Sequence, residues 1–186
     1  VEDWEKHKGT KIDVLVTTLL WKLSSADHKE PPQNLDKSVD LDSMKADIRP
    51  STEWLHEKSL VYHAFASQTA LFKSAFEIHG VKTWALNGEM SGKERADCLK
   101  EFKNHQGPAV LLITQVGCAG LNIAFARWVF LADQFWSKQQ KTQTVGRVLR
   151  NGQEGEVIVY EFTCLDTSDQ LMGAGADVKG DLLSQF

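Results

Sequence analysis

The sequence predicts an α/β fold: a parallel sheet with helices on both faces, preceded by a helical extension. Three observations predict it. Short apolar runs alternate with helices of about a dozen residues from Leu60 onward. The run Ala109–Thr114 (AVLLIT) is continuously apolar, as in a strand buried on both faces. Glycines and capping residues fall at the ends of the helical stretches.

Taken in order, Ile12, Leu15, Val16, Leu19, Leu20 and Leu23 recur at helical spacing, which predicts a helix over 12–26. Residues 27–50 lose that period around Pro31–Pro32 and read as a linker with at most one short helix. Ser51 is placed to cap a helix to about Lys58, with Glu53 in its first turn. Leu60–Ala66 reads as the first strand. Ser67 then caps a helix with Leu71, Phe72, Ala75, Phe76 and Ile78 on one side, which Gly80 ends. Val81–Leu86 is a second strand, and Asn87–Gly88 a turn. Ser91 and Glu94 form a capping box for a helix to about Lys103. Ala109–Thr114 and Trp128–Ala132 are further strands, Ser137–Leu149 a helix, and Glu156–Phe162 a fifth strand. The domain reading is 1–58 extension and linker, 59–165 sheet domain, 166–186 tail.

The formal charge of −4 is unevenly spread. Residues 1–58 carry 9 basic and 12 acidic side chains, residues 59–153 carry 11 and 6, and residues 154–186 carry 1 and 7. An anionic partner is therefore expected at the middle, although a solvated mixed surface has the same arithmetic. No apolar run approaches the ~20 residues of a membrane-spanning helix. Cys98, Cys118 and Cys164 are widely spaced and form no CxxC pair. That argues against a disulfide framework or a cysteine zinc site, and fits a reducing compartment.

Familiar self-contained active sites are absent from the sequence. Gly88–Lys93 has three residues between its glycines where a phosphate loop has four, and Glu94 stands where Ser or Thr would bind magnesium. His56–Glu57 has no second histidine at zinc-ligand spacing. There is no GxSxG elbow, and no metal site is expected.

Two segments carry chemistry. In Gln143–Gln153 (QTVGRVLRNGQ), a helix would put Gln143, Arg147 and Arg150 on one face. Two guanidinium forks beside an amide suit phosphate oxygens, although a solvated basic face has the same spacing. Thr114–Asn122 (TQVGCAGLN) leaves a buried strand, so its amides are placed to form an anion-binding concavity, with Gly117 and Gly120 allowing close approach. A glycine-softened connection is the plainer alternative. Trp136 is either a core anchor or an exposed packing residue.

TQVGCAGLN followed by QTVGRVLRNGQ resembles motifs V and VI of superfamily 2 helicases. Three further segments are similar to those of Swi/Snf-type chromatin-remodelling ATPases: WALNGEMSGKER (Trp84–Arg95), FLADQFWSKQQKTQ (Phe130–Gln143) and the ending RNGQ (Arg150–Gln153). LVYHAF (Leu60–Phe65) fits the motif IV strand. The resemblance covers about Leu60–Phe162, with a weaker echo over Ile12–Pro32.

The resemblance implies a C-terminal RecA-like lobe. In that family ATP, with its magnesium, sits between two lobes, and the first lobe supplies the phosphate loop and the acidic magnesium box. Arg147 and Arg150 would be the arginine fingers. Gln143, Asn122 and Gly120 would meet the nucleotide, and Thr114, Gly117, Trp136 and Lys138 the nucleic acid. Double-stranded DNA, contacted through its backbone, the N-terminal lobe and chromatin proteins are the implied partners, and the nucleus the implied location. The chain alone is expected to be inactive. A lobe acting on RNA or single strands, and a degenerate binding or regulatory module, are the competing readings. Gly146 stands where the family usually has aspartate, Asn87 replaces the aspartate of its LDG segment, and Ser137–Lys138 replace its asparagine–proline.

Overall fold

A computed structural model describes residues 10–35, 38–115 and 120–172. Five strands form one sheet: β1 (Lys58–Tyr62), β2 (Lys82–Leu86), β3 (Ala109–Ile113), β4 (Trp128–Leu131) and β5 (Ile158–Glu161). The order across the sheet is β2-β3-β1-β4-β5, and every pairing is parallel. The helices are α1 (Thr10–Ser24), α2 (Leu41–Asp47), α3 (Thr69–Ile78), α4 (Gly92–Asn104) and α5 (Lys138–Val145). Among the described residues no helix is long and apolar enough to cross a membrane.

The central strands are apolar on both faces, so each face needs its own cover. On one face Val61, Val110, Leu112, Trp128 and Phe130 pack with Leu15, Leu19 and Leu23 of α1 and with Phe72, Ala75 and Phe76 of α3. On the other, Leu60, Tyr62, Leu111, Ile113, Val129 and Leu131 pack with Phe102 of α4, with Leu121 and Ile123, and with Val148 beyond α5. Helix α1 thus shares a core with the sheet. Every strand runs the same way, so the carboxyl ends of β1, β2, β3 and β4 gather at one end of the sheet.

Three local expectations need correction. β1 starts at Lys58 and ends at Tyr62, short of the expected Ala66. Beyond it the backbone bonds to side chains: the Asp133 carboxylate accepts from Ala64 N–H at 2.9 Å, and His63 Nδ1 donates to the Phe65 carbonyl at 3.0 Å. A 3₁₀ turn, Ala66–Gln68, precedes α3, and no side chain caps either. Ser51–Glu53 is a single 3₁₀ turn, not a helix to Lys58. There the chain is drawn out by Trp54 Nε1 donating to Arg49 O at 2.8 Å and Leu55 N–H donating to Leu23 O at 2.8 Å. Finally, α5 stops at Val145, with Gly146 as its C-cap. Arg147 N–H donates to Thr144 O and Val148 N–H to Val145 O, so the chain tightens into turns that carry Val148 into the core.

Candidate functional site

Arg147 and Arg150 lie in the turns after α5 and not on the helix itself, so the helical face expected to carry both arginines is replaced by a tight turn. That turn is anchored on both sides. Ile123 N–H donates to the Arg147 carbonyl at 2.9 Å, which brings the 120–123 loop against the first arginine. Gln153 N–H donates to the Arg150 carbonyl at 3.0 Å. The Gln153 side chain donates to Ala126 O at 2.7 Å and accepts from Gly155 N–H at 3.1 Å. Gly152, with φ +102°, closes the turn in a conformation that favours glycine.

The arginine side chains differ. Arg150 is exposed. Arg147 is half-buried, and its Nε is buried without a hydrogen-bond partner. Among the described residues neither pairs with a carboxylate, whereas Arg127 pairs with Glu57 at 3.1 Å and Lys141 with Glu161. The Nε atoms of Arg95 and Arg127 are buried without a partner as well, so this feature does not by itself set Arg147 apart.

The other expected residues fall in three places. Gly120 (φ +75°) and Asn122 are exposed beside the Arg147 turn. The Asn122 side-chain oxygen accepts from Ala124 N–H at 3.3 Å, a local turn. Gln143 is exposed on α5. Thr114 is buried just past β3, and Gly117 lies outside the described residues. Trp136, 64% exposed, and Lys138 flank Ser137, whose hydroxyl caps α5 by accepting from Gln140 N–H. Trp136 is therefore no core anchor.

Several residues that spacing did not single out hold this end of the sheet. Asp133 joins the β4–α5 loop to the β1–α3 loop. Asn87 accepts from the N–H groups of Glu89 and Met90, both at 3.1 Å, so the amide serves as the acceptor at this turn. Arg95 donates to the Asn87 carbonyl at 3.2 Å from the next helix. In the sequence these residues stood out through turn chemistry at Asn87–Gly88 and through the resembling segments Trp84–Arg95 and Phe130–Gln143, not through these contacts. Nearby, burial above all pushes the His63 imidazole down, partly opposed by its bond to Phe65 O and by Asp133, and so favours the neutral ring. Burial pushes the Cys98 thiol up, with Glu101 adding to it, which keeps the thiol protonated.

The family described as the helicase conserved C-terminal domain matches residues 51–152. Transcription termination factor 2 of Drosophila melanogaster is 33% identical over 141 residues, covering 75% of this chain and 13% of that protein. DNA repair protein rad5 of Neurospora crassa is 42% identical over 106 residues, 56% of this chain and 9% of that one. Helicase-like transcription factor of Mus musculus is 31% identical over 142 residues, 75% of this chain and 14% of that one. The chain spans about a tenth of the length of these curated relatives. The crystal structure of the C-terminal part of the Fun30 ATPase domain aligns over 77% of this chain and 48% of its own, with TM-score 0.63 and 22% identity, a likeness of fold. With its RecA-like parallel sheet and these relatives, the chain belongs to the helicase conserved C-terminal domain family, in its Swi/Snf-type branch.

Proposed function

We propose that this chain is the second motor lobe of an ATP-dependent double-stranded-DNA translocase of the chromatin-remodelling type. The observation that carries the proposal is the Arg147 turn. Its carbonyl is tied to Ile123, and neither Arg147 nor the exposed Arg150 beside it pairs with a carboxylate among the described residues. That donor set fits a polyphosphate. ATP, bound with magnesium held mainly by the partner lobe, supplies the phosphoryl group to be transferred.

In this reading Arg147 and Arg150 stabilise charge on the transferring group, with Arg150 the more direct contact. Gln143 orients them, and Asn122 and Gly120 meet the nucleotide. Thr114, Gly117, Trp136 and Lys138 meet the nucleic-acid backbone. The sequence holds no phosphate loop, so the chain alone does not hydrolyse ATP, and the N-terminal lobe of the same protein completes the site. Chromatin proteins are further partners, and the protein works in the nucleus. The name of the rad5 relative, a DNA repair protein, supports DNA as the substrate.

Gly146, where many other helicases carry glycine, mildly favours the reading of an RNA or single-strand helicase lobe, while the RNGQ ending and the tryptophan segment oppose it; a Cβ at Gly146 would stand 2.9 Å from the Thr142 carbonyl oxygen. The test is ATP turnover by the full-length protein with duplex DNA, single-stranded DNA, RNA and no nucleic acid. Duplex stimulation is expected. Stimulation by single strands or RNA alone would make this a helicase lobe of another substrate class. No turnover from the folded protein under any condition would make it a non-catalytic module.

A further inference from the structure

Asp133 sits where three segments meet. Its Oδ2 accepts from Ala64 N–H at 2.9 Å, and its Oδ1 accepts from Lys11 Nζ of α1 at 3.4 Å. Lys11 also pairs with Asp169 at 2.5 Å, and Asp169 accepts from Cys164 N–H at 3.1 Å. Asp133 is largely buried, with both carboxylate oxygens engaged, so it serves neither as a base nor as a ligand. Its contacts instead fix two loops against each other. They leave adjacent strands: Ala132 N–H donates to Tyr62 O at 2.9 Å, and the Tyr62 and Phe135 rings stack with centroids 4.1 Å apart.

Each loop carries one exposed aromatic ring next to this clamp. Phe65, 62% exposed, follows Ala64, and Trp136, 64% exposed, follows Phe135. Both lie at the end of the sheet where Lys138 begins α5. Contacts of proteins to nucleic-acid backbones fall on sugars as well as phosphates, and a flat apolar ring suits a sugar face.

We propose that Asp133 is a positioning residue for the nucleic-acid face: it clamps the Phe65 loop onto the Trp136 loop, so that both rings form one surface and Phe65 is a second aromatic contact. The proposal rests on the motor reading above and adds Phe65 and Asp133 to it. A hydrogen bond to an ionised acceptor is stronger than a neutral one, and an unpaired Ala64 N–H would leave the loop free to shift.

The test measures duplex-stimulated ATP turnover of the full-length protein across duplex and ATP concentrations. Asp133→Ala is expected to raise the half-saturating duplex concentration about tenfold, without moving KM for ATP. Asp133→Asn, whose amide oxygen still accepts from Ala64 N–H, should recover most of the loss. Phe65→Ala, a surface change that leaves folding intact, should give a several-fold rise by itself. The double variant Phe65→Ala/Asp133→Ala should be little worse than Asp133→Ala alone, because one loop carries both effects. Unchanged duplex dependence in Phe65→Ala would overturn the proposal even if Asp133→Ala fails to fold. So would an Asp133→Ala defect that moves KM for ATP equally and is not rescued by Asn. A wild-type protein without duplex stimulation overturns the motor reading and this inference together, whereas a stimulated wild type with unaffected variants overturns only this inference.

Discussion

Among the described residues Lys45 pairs with Asp13, Lys73 with Glu77 and Arg127 with Glu57, whereas Arg147 and Arg150 pair with no carboxylate. Their residue types and order were legible in QTVGRVLRNGQ, whereas their placement was not. Spacing on an assumed helix could not show that Val148 must enter the core, and that requirement tightens the chain into turns. Asp133 was illegible for a similar reason: a carboxylate's value as a clamp depends on which distant N–H it meets. His63 gives a prediction at this scale. Folding holds its ring neutral by burial, while the unfolded chain protonates it near the ordinary value of 6.5. Its contribution to stability is therefore whole above that pH and is lost as pH falls through it toward the lower folded-state value. His105, also pushed down by burial first and then by nearby cations, adds the same sign. Urea titrations at pH 7.5 and 5.5 should show lower stability at 5.5, with the drop reduced in His63→Gln.

Elements were read best where a side chain fixes their end. The Ser91–Glu94 capping box opens α4 as expected, with Ser91 N–H donating to Glu94 at 2.7 Å and Glu94 N–H donating to Ser91 Oγ at 3.3 Å. Those bonds, the Ser91 N–H first, hold the Glu94 carboxyl below its ordinary value. Ser91→Ala should cost about 1 kcal/mol in urea unfolding, leaving duplex dependence of turnover unchanged. Elements were misread where tertiary contacts intervene, as at Ser51 and Ser67, whose hydroxyls cap nothing. The RNGQ turn shows a local signature with a structural job. Gln153 joins it to Ala126 and Gly155, so Gln153→Ala should loosen the seat of Arg150 and lower turnover, with little change in global stability.

For the whole molecule, alternating periods established a parallel α/β sheet, but the strand order β2-β3-β1-β4-β5 came only with the structure. Periodicity records how each segment buries its face and carries no information about which neighbour it meets. The role of α1 was hidden in the same way. Its apolar stripe was plain, yet nothing in residues 12–26 showed that it covers the face shared with α3. Leu15 and Leu19 are fully buried there. Leu19→Ala should therefore destabilise the whole lobe by about 2–5 kcal/mol, measured by urea unfolding of the sheet domain as one unit. Loss confined to the first 24 residues would mean that α1 is an appendage.

The central claim is that this lobe completes an ATPase by presenting two arginines to a nucleotide bound by its partner lobe. It is tested most directly by ATP turnover of the full-length protein, with duplex DNA, carrying Arg150→Ala or Arg147→Ala. The account predicts kcat reduced by about 10³-fold or more in Arg150→Ala, and strongly in Arg147→Ala, with the fold preserved. Turnover equal to that of the unaltered protein in both variants would contradict it and leave a lobe that binds without taking part in the chemistry.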